Sequence, residues 1–507
     1  MSSLWTDDLM PTGGAPRVPP TGPARRGGLP TGVAALAVIV AIGLLALPVS
    51  SLLRNSRAFW PDHWDRRIAP IALRDEQIRG LKYDHPVVVQ FLPEKAFKKL
   101  AGDSGGVDAA ARAEIEREAA TFRALGFIGG NVDLFEVTQQ ADAAGVLAFY
   151  DFNKKEIVVR GTTLDVSHRA TLAHELTHVL QDQHFDIRSI EKRAADDDVQ
   201  RGASSGAMLA LIEGDANRVR DAYLKSLPVA QQHEYDKEQA AESGAFGKAT
   251  KSVPPFVQLL FSAPYELGPL TIRMLIADGG NTSVNDALTG PTPTSADFVQ
   301  AGLISPPPPD LPAPTIANNE KAEGAPESFG AFELYVMLAT HDDALTALTA
   351  SDSILGGRAQ GLRWNGRYCY RAMLATRDVA AAKFVEGALQ RWAKSASGAS
   401  ANRAGASVAF TACDPGSKAV GASKVKLDAA DLLLGARSGI AVGVAENGAT
   451  PGVARCVARL FALSPGALDT LKRAGSGSLS PDETTRVRGL VQQEAATCRD
   501  NPRVGLL

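Results

Sequence analysis

The sequence predicts an α+β protein with a small β-sheet beside helices, a mostly helical C-terminal part and one N-terminal transmembrane helix. Three observations favour this class. Residues 31–53 carry no charge, residues 145–161 contain two β-rich runs around a short polar turn, and most later segments have the apolar pattern of helices. A chain of 507 residues, 45% of them hydrophobic, is long enough for two or three globular domains. The net charge of −3 lacks the basic character of nucleic-acid-binding proteins, so we expect no nucleic-acid partner.

The uncharged segment 31–53 is long enough to cross the roughly 30 Å hydrocarbon core of a bilayer as a helix. The alternatives are a buried core helix, which would rarely be apolar on every face, and a cleaved signal peptide. The tail of residues 1–30 is longer than a usual signal-peptide start, however, and no A-x-A site follows the segment. We therefore expect an uncleaved signal-anchor that makes the protein a single-pass protein of the cell membrane. Arginines flank the segment on both sides, so charge does not set its orientation.

All four cysteines lie in the last third of the chain, and none forms a C-x-x-C pair. An even number of cysteines suits two disulfides in an oxidising compartment, so we expect the bulk of the chain to be extracytoplasmic. Four cysteines allow three connectivities. We predict Cys369–Cys413 and Cys456–Cys498, because the first two lie in strand-like segments and the other two in helical ones.

The middle of the chain begins with a buried strand over residues 85–92 and a helix over 110–127. Residues 145–151 and 156–161 then form a hairpin, whose open edge can hold an extended peptide by strand addition. Later segments are mainly helical or connecting. They are helices over 204–227, 255–290 with a break at Gly279 and Gly280, 329–342 and 379–396, a proline-rich exposed connection over 305–328, a β segment over 364–374, and a flexible linker over 395–407.

The most informative motif lies in residues 173–186, AHELTHVLQDQHFD, which contain His174, Glu175 and His178 in the order H-E-x-x-H. On a helix these residues share one arc of about 120° with Gln181, opposite an apolar face. Two imidazoles one turn apart can bind one zinc ion, and the adjacent glutamate can act as a general base on a zinc-bound water. The motif therefore predicts a zinc site with a catalytic glutamate.

The third zinc ligand has two candidates. His184 lies ten residues after His174, which is the metzincin spacing, but Gln181 stands where that pattern needs a helix-breaking glycine. If the helix continues, His184 lies about 9 Å beyond His178 along the axis and points away from the metal. Met208, a possible Met-turn, falls in a helical pattern, which also disfavours a metzincin.

Glu213 is the favoured third ligand. It lies at the margin of an apolar helical stripe over residues 204–227, where a lone carboxylate needs a partner. A glutamate on a second helix about 35 residues beyond the second histidine is the gluzincin arrangement. Asp182, Asp215 and Asn217 are candidates for orienting the histidines, and Tyr265 is either an oxyanion stabiliser or a packed aromatic residue.

The stretch HELTHVLQDQHFD, with LIEGDA further on, resembles a group of largely uncharacterised bacterial and archaeal gluzincin-like metallopeptidases. The resemblance covers about residues 72–392. It implies a zincin-like fold, zinc as cofactor, His174, His178 and Glu213 as ligands, and Glu175 as base. Two features depart from the family. Asn281 stands where relatives tend to have tryptophan, and the segment GPTPTSADFVQAG after it lacks the family's histidine.

These predictions divide the chain into five parts. We expect a disordered cytoplasmic tail over 1–30, the transmembrane signal-anchor over 31–53, a zincin-like catalytic domain over 54–240, its helical continuation over 241–395, and a disulfide-containing region over 396–507. The expected function is a membrane-anchored extracytoplasmic zinc metallopeptidase that acts on peptides or proteins. The alternative is a surface binding protein that keeps a metallopeptidase fold without activity.

Overall fold

A computed structural model of the chain describes residues 60–102, 109–137, 147–201, 204–301, 311–396, 398–475 and 479–500. The described chain is an α+β protein, mostly helical with two small sheets, which confirms the predicted class. The predicted tail and signal-anchor, residues 1–53, lie outside the described residues. Within the described ranges, each helix is too short or too polar to span a bilayer.

A three-stranded sheet lies at the start of the described chain. Its strands are β1 (Val88–Leu92), β2 (Ala148–Asp151) and β3 (Glu156–Arg160), in the order β1-β3-β2. β1 is parallel to β3, whereas β2 pairs with β3 as the predicted antiparallel hairpin. β2 is therefore an edge strand of this sheet. The accompanying helices are α1 (Ala69–Arg79), α2 (Glu94–Gly102) and α3 (Ala109–Leu125).

The H-E-x-x-H motif lies on α4 (Val166–Phe185), which follows the hairpin directly. Asp165 caps this helix, since its side chain accepts a hydrogen bond from the His168 backbone N–H at 2.9 Å. The predicted apolar face is buried, with Leu172, Leu176 and Val179 fully inside the main core. This packing fixes the rotation of α4 about its own axis and therefore the direction in which its polar face points.

The remaining helices of this half follow α4 in the chain, and the first three of them pack against it. They are α5 (Ile187–Arg201), α6 (Ser205–Ser226), α7 (Val229–Ala249), α8 (Pro255–Thr289) and α9 (Ser295–Val299). α6 and α8 confirm the predicted helices, while α5 and α7 lie in segments that the sequence left unassigned. The break predicted in α8 is present, because Gly279 and Gly280 have non-helical backbone angles and Gly280 has a φ of 68°.

A five-stranded antiparallel sheet follows, with the order β4-β5-β6-β8-β7. Its strands are β4 (Glu320–Ser328), β5 (Ile354–Trp364), β6 (Arg367–Thr376), β7 (Ser400–Ala404) and β8 (Ser407–Cys413). The prediction of a flexible linker over 395–407 is wrong, because residues 400–404 form an edge strand that pairs with β8. Small and polar residues there resemble a linker locally, and only pairing with a distant strand orders them. The end of the connection over 305–328 likewise becomes edge strand β4.

Further helices complete the chain, and some of them pack on this sheet. They are α10 (Ala331–Ala339), α11 (Ala344–Asp352), α12 (Val379–Ala393), α13 (Lys424–Glu446), α14 (Pro451–Leu463), α15 (Ala467–Gly475) and α16 (Pro481–Asp500). Both predicted disulfides are confirmed. Cys369 and Cys413 are directly opposite each other on β6 and β8, and Cys456 on α14 joins Cys498 on α16.

α6 and α8 approach each other closely at Gly214 and Gly268. A Cβ on Gly214 would lie 2.6 Å from the Gly268 carbonyl oxygen, well inside van der Waals contact. Because the obstacle is backbone, it cannot move aside without shifting a whole helix. Gly214 thereby sets the position of its neighbour Glu213.

We predict that Gly214→Ala lowers the free energy of unfolding by about 3 kcal/mol or more, because it overpacks a backbone contact. The measurement is denaturant unfolding of the purified protein. Gly206→Ala on the same helix is the matched control. Its Cβ would meet only the Ser204 Oγ, at 3.8 Å, and should leave stability unchanged or raise it by up to about 1 kcal/mol. Equal stability of the two variants would contradict the close approach.

Candidate metal centre

Three buried side chains converge in the protein interior: His174 and His178 from α4, and Glu213 from α6. The two histidine Nε2 atoms are 3.0 Å apart. Glu213 Oε2 lies 3.2 Å from His174 Nε2 and 3.6 Å from His178 Nε2. All three residues are at most 3% exposed. Among the described residues, these form the cluster with ligand atoms close enough to hold one metal ion.

The spacing of these atoms fits one small metal ion. Donors bound to zinc at 2.0–2.1 Å with tetrahedral angles lie about 3.3 Å from one another. The observed separations of 3.0, 3.2 and 3.6 Å bracket that value. Glu213 Oε2 is buried and faces both histidine Nε2 atoms, as expected of ligand atoms that converge on one cation. His174, His178 and Glu213 therefore fit a zinc ion.

The charges of the three residues depend on one another. Burial opposes ionisation of Glu213, yet the two histidines outweigh it and hold its pKa at about 2. Burial favours neutral His178, but the Glu213 carboxylate reverses this and raises the pKa of His178 to about 9. Burial lowers the pKa of His174 to about 4. Without a metal, a proton on His178 thus balances Glu213, and a bound cation would replace that proton.

Glu175 lies beside this cluster and contacts the β2 edge strand. Its Oε2 accepts a hydrogen bond from the Tyr150 backbone N–H at 2.9 Å. Burial raises the pKa of Glu175 to about 8, and the nearby Glu213 carboxylate adds to that effect. A carboxyl group with a pKa close to neutrality is suited to exchanging protons, which is the property expected of a general base.

A chain of hydrogen bonds orients His178 through Nδ1, the ring nitrogen that does not face Glu213. Gln181 Oε1 accepts a hydrogen bond from His178 Nδ1 at 2.9 Å. When His178 is neutral, its proton is therefore on Nδ1, and the lone pair is on Nε2, the atom that faces Glu213. The Gln181 amide nitrogen donates to the Ile212 carbonyl at 3.0 Å and to Asp215 Oδ2 at 3.2 Å. These donors fix which end of the Gln181 amide faces the histidine.

The chain of hydrogen bonds ends at Asp215, whose carboxylate is held in place by two arginines. Arg79 on α1 donates to its Oδ2 at 2.7 Å, and Arg218 donates to its Oδ1 at 2.9 Å. Arg218 is held in turn by Asn281 Oδ1 at 2.9 Å. Asn281 thus supports the site from a distance. Asp215 acts on His178 through Gln181.

The other two candidates for orienting the histidines are placed differently. Asp182 Oδ2 accepts from the Tyr150 hydroxyl at 2.8 Å and from Lys155 Nζ at 2.6 Å, so it fastens the β2–β3 hairpin to α4. Asn217 is buried, and its Oδ1 has no hydrogen-bond partner among the described residues. Among the described residues, therefore, neither Asp182 nor Asn217 makes a hydrogen bond to His174 or His178 in the structure.

Tyr265 on α8 lies next to the cluster. Its hydroxyl is buried without a hydrogen-bond partner in the described structure. Burial raises its pKa well above the ordinary value, and the carboxylates of Glu213 and Glu175 raise it further. Its hydroxyl is therefore a neutral donor close to both carboxylates, and its ring packs in the protein interior.

His184 lies outside the cluster, as predicted from the residue at position 181. α4 continues unbroken through Gln181 to Phe185. His184 is exposed, and its Nε2 donates to the Lys82 carbonyl at 2.7 Å. Met208 is buried within the regular helix α6, so it forms no Met-turn.

We predict that Gln181→Met lowers the affinity for Zn²⁺ about 10- to 100-fold, because His178 loses the acceptor that orients it. Competition with a chromogenic chelator measures the affinity. Gln183→Met is the matched control on the same helix, since Gln183 bonds Asp84 and His85 instead. An unchanged affinity in the Gln181 variant would contradict the orienting role.

No protein-family model matches the chain. No curated protein and no solved structure matches it either. The chemistry of the site must therefore be inferred from its own geometry.

Proposed function

We propose that the protein is a zinc-dependent metallopeptidase with a zincin-like catalytic region, in which His174, His178 and Glu213 hold the metal. The observation that carries this proposal is the convergence of their three ligand atoms within 3.6 Å, with the Glu175 carboxylate beside them. Two imidazoles and one carboxylate form the ligand set of gluzincin-type sites. Three protein ligands leave one position for water or substrate, as in catalytic zinc sites.

Zinc, when bound, polarises a carbonyl group and makes water nucleophilic near neutral pH. Glu175 accepts a proton from the attacking water and returns it to the departing amine. Tyr265 offers a neutral hydroxyl that can donate to the oxygen on which negative charge develops.

The β2 edge supports a peptide as substrate. Asp151 and Leu147 turn their carbonyls toward β3, so the alternate residue Tyr150 turns its backbone N–H outward. That outward N–H bonds Glu175, which places the edge of β2 that pairs with no other strand next to the proposed base. A substrate added to this edge as an extra strand would bring its backbone to the metal site.

The proposed location is the cell membrane. Residues 31–53 serve in this proposal as a signal-anchor, with the tail in the cytoplasm and the rest of the chain outside it. Two disulfides, Cys369–Cys413 and Cys456–Cys498, are typical of proteins that mature in an oxidising compartment.

A second candidate function is binding without catalysis. The observation that favours it is the closure of the site, since His178 and Glu213 are 1% exposed and Glu175 is 4% exposed. A substrate can reach these groups only if the surrounding elements move. A binding protein would use its surface and keep the site closed.

We predict that Glu175→Gln keeps stoichiometric zinc but loses at least about 100-fold in peptide cleavage, because the amide cannot accept the proton. The assay measures zinc by elemental analysis and cleavage with a broad peptide library. Glu242→Gln on α7 is the control for loss of a carboxylate away from the cluster. Wild-type cleavage by the Glu175 variant would refute the role of this residue as base. Stoichiometric zinc without cleavage of any peptide by the wild-type protein would favour the binding function.

A further inference from the structure

Helix α7 has a mostly polar sequence and differs from the helices beside it. Each α7 side chain whose burial the structure describes is exposed or only partly buried. By contrast, α4 and α6 place many side chains in the core, and the shorter α5 buries Ile187, Ile190 and Ala194 there. Burial of apolar surface is the main force that holds a helix in place. α7 is therefore held less firmly than these neighbours.

α7 lies on the metal-binding side of α4. The two helices pack together, and the Glu238 carboxylate accepts hydrogen bonds from the Ser167 backbone N–H at 3.0 Å and from the Ser167 hydroxyl at 2.6 Å. Ser167 is seven residues before His174, which is nearly two full turns, so the two side chains leave α4 on the same face. The middle of α7 thus covers the continuation of that face, about 10 Å from His174 along the helix axis.

α7 also reaches the corresponding face of α6. Arg220 is seven residues after Glu213, so it extends the face of α6 that carries the third ligand. Burial raises the pKa of Tyr235 on α7, and the Arg220 guanidinium opposes this rise, so the two side chains lie close enough for their charges to interact. α7 therefore bridges α4 and α6 beside the candidate metal centre.

Several neighbouring elements are fixed to one another. The buried pair of Arg79 with Asp215 joins α1 to α6, and α8 approaches the backbone of α6 at Gly214. On the hairpin side, Asp182 holds Tyr150 of β2, and β3 is the central strand of its sheet. Moving α7 away from α4 and α6 leaves all of these contacts intact.

The C-terminal end of α7 contains two residues that weaken a helix. Gly244 and Gly247 lie in its last two turns, and glycine lowers the stability of a helix because it loses more conformational freedom than other residues. A Cβ on either glycine would meet no described atom within 4 Å, so close packing does not require glycine there. This end of α7 is therefore suited to bending.

We propose that α7 is a lid that leaves the groove between α4 and α6 to open the candidate metal centre and then closes over it again. In the structure, Glu175 and the three proposed zinc ligands are at most 4% exposed, so an element must move before a substrate reaches them. The hydrogen bonds of Glu238 to Ser167 are the latch of the closed state. The admission of a substrate rests on the proposed function, whereas the opening is measurable without metal or substrate.

The test measures the opening by the rate at which iodoacetamide labels one introduced thiol in the metal-free, full-length protein. All four native cysteines form disulfides, so Thr171→Cys provides a single free thiol. Thr171 is buried on the metal-binding face of α4, one turn after Ser167. Thr177→Cys is the matched control. Thr177 is buried about 120° away around the helix, and like Thr171 it donates to the carbonyl four residues before it.

The Thr171→Cys protein should be labelled faster than the Thr177→Cys protein. Glu238→Ala should raise the rate for Thr171→Cys about tenfold or more, because it removes two hydrogen bonds to a carboxylate. Glu234→Ala removes an exposed carboxylate one turn earlier on α7 and should leave this rate unchanged. The rate for Thr177→Cys should change with neither variant.

Hydrogen exchange followed by mass spectrometry locates the motion, and Glu238→Ala should speed exchange throughout residues 229–249. Faster exchange confined to residues 166–169 would indicate that Glu238 only caps α4 and would overturn the proposal. An unchanged labelling rate for Thr171→Cys, or an equal rise for Thr177→Cys, would also overturn it. If these results support the lid but the zinc-loaded protein cleaves no peptide, the lid stands and the proposed function fails.

Discussion

The candidate metal centre depends on one buried ion pair, that of Asp215 with Arg79. Both side chains are fully buried, so each charge needs an opposite one beside it, and Asp215 has a second partner in Arg218. Removing one partner of such a pair typically costs about 3–5 kcal/mol. The pair joins α1 to α6, and through Gln181 it also reaches α4. The same carboxylate that holds three helices together therefore sets the orientation of His178.

The centre is consequently organised before any metal binds. Gln181 holds the imidazole of His178, and the contact of Gly214 with Gly268 fixes the helix that carries Glu213. On the other side, Asp182 fastens the β2–β3 hairpin, and Tyr150 holds Glu175. Access for a substrate requires motion of this hairpin or of the helices around it.

The sequence allowed prediction of those parts of the centre that follow from local spacing. His174, Glu175 and His178 follow from one helical turn, and the placement of His184 follows from the absence of a glycine at 181. Glu213 was predictable because a single carboxylate in an apolar stripe needs a buried partner. Both disulfides followed from assigning two cysteines to strands and two to helices.

The supporting contacts could not be predicted, because they join segments far apart in the chain. Arg79 and Asp215 are 136 residues apart, and no periodic pattern relates them. Gln181 lies on the same helical arc as the ligands. That shared arc is the feature of the sequence that could have indicated its role in orienting His178. Strand β7 was missed because its small polar residues carry no strand pattern and are ordered by pairing with β8.

Zinc stoichiometry in two single variants tests the central claim most directly. Wild type, Glu213→Ala and His184→Ala would be dialysed against metal-free buffer after zinc loading and then analysed for bound zinc. Glu213→Ala should lose its zinc, because the ion would keep only two protein ligands, whereas His184→Ala should keep stoichiometric zinc. Zinc retained without Glu213, or lost without His184, would contradict the assignment of the third ligand and the site built on it.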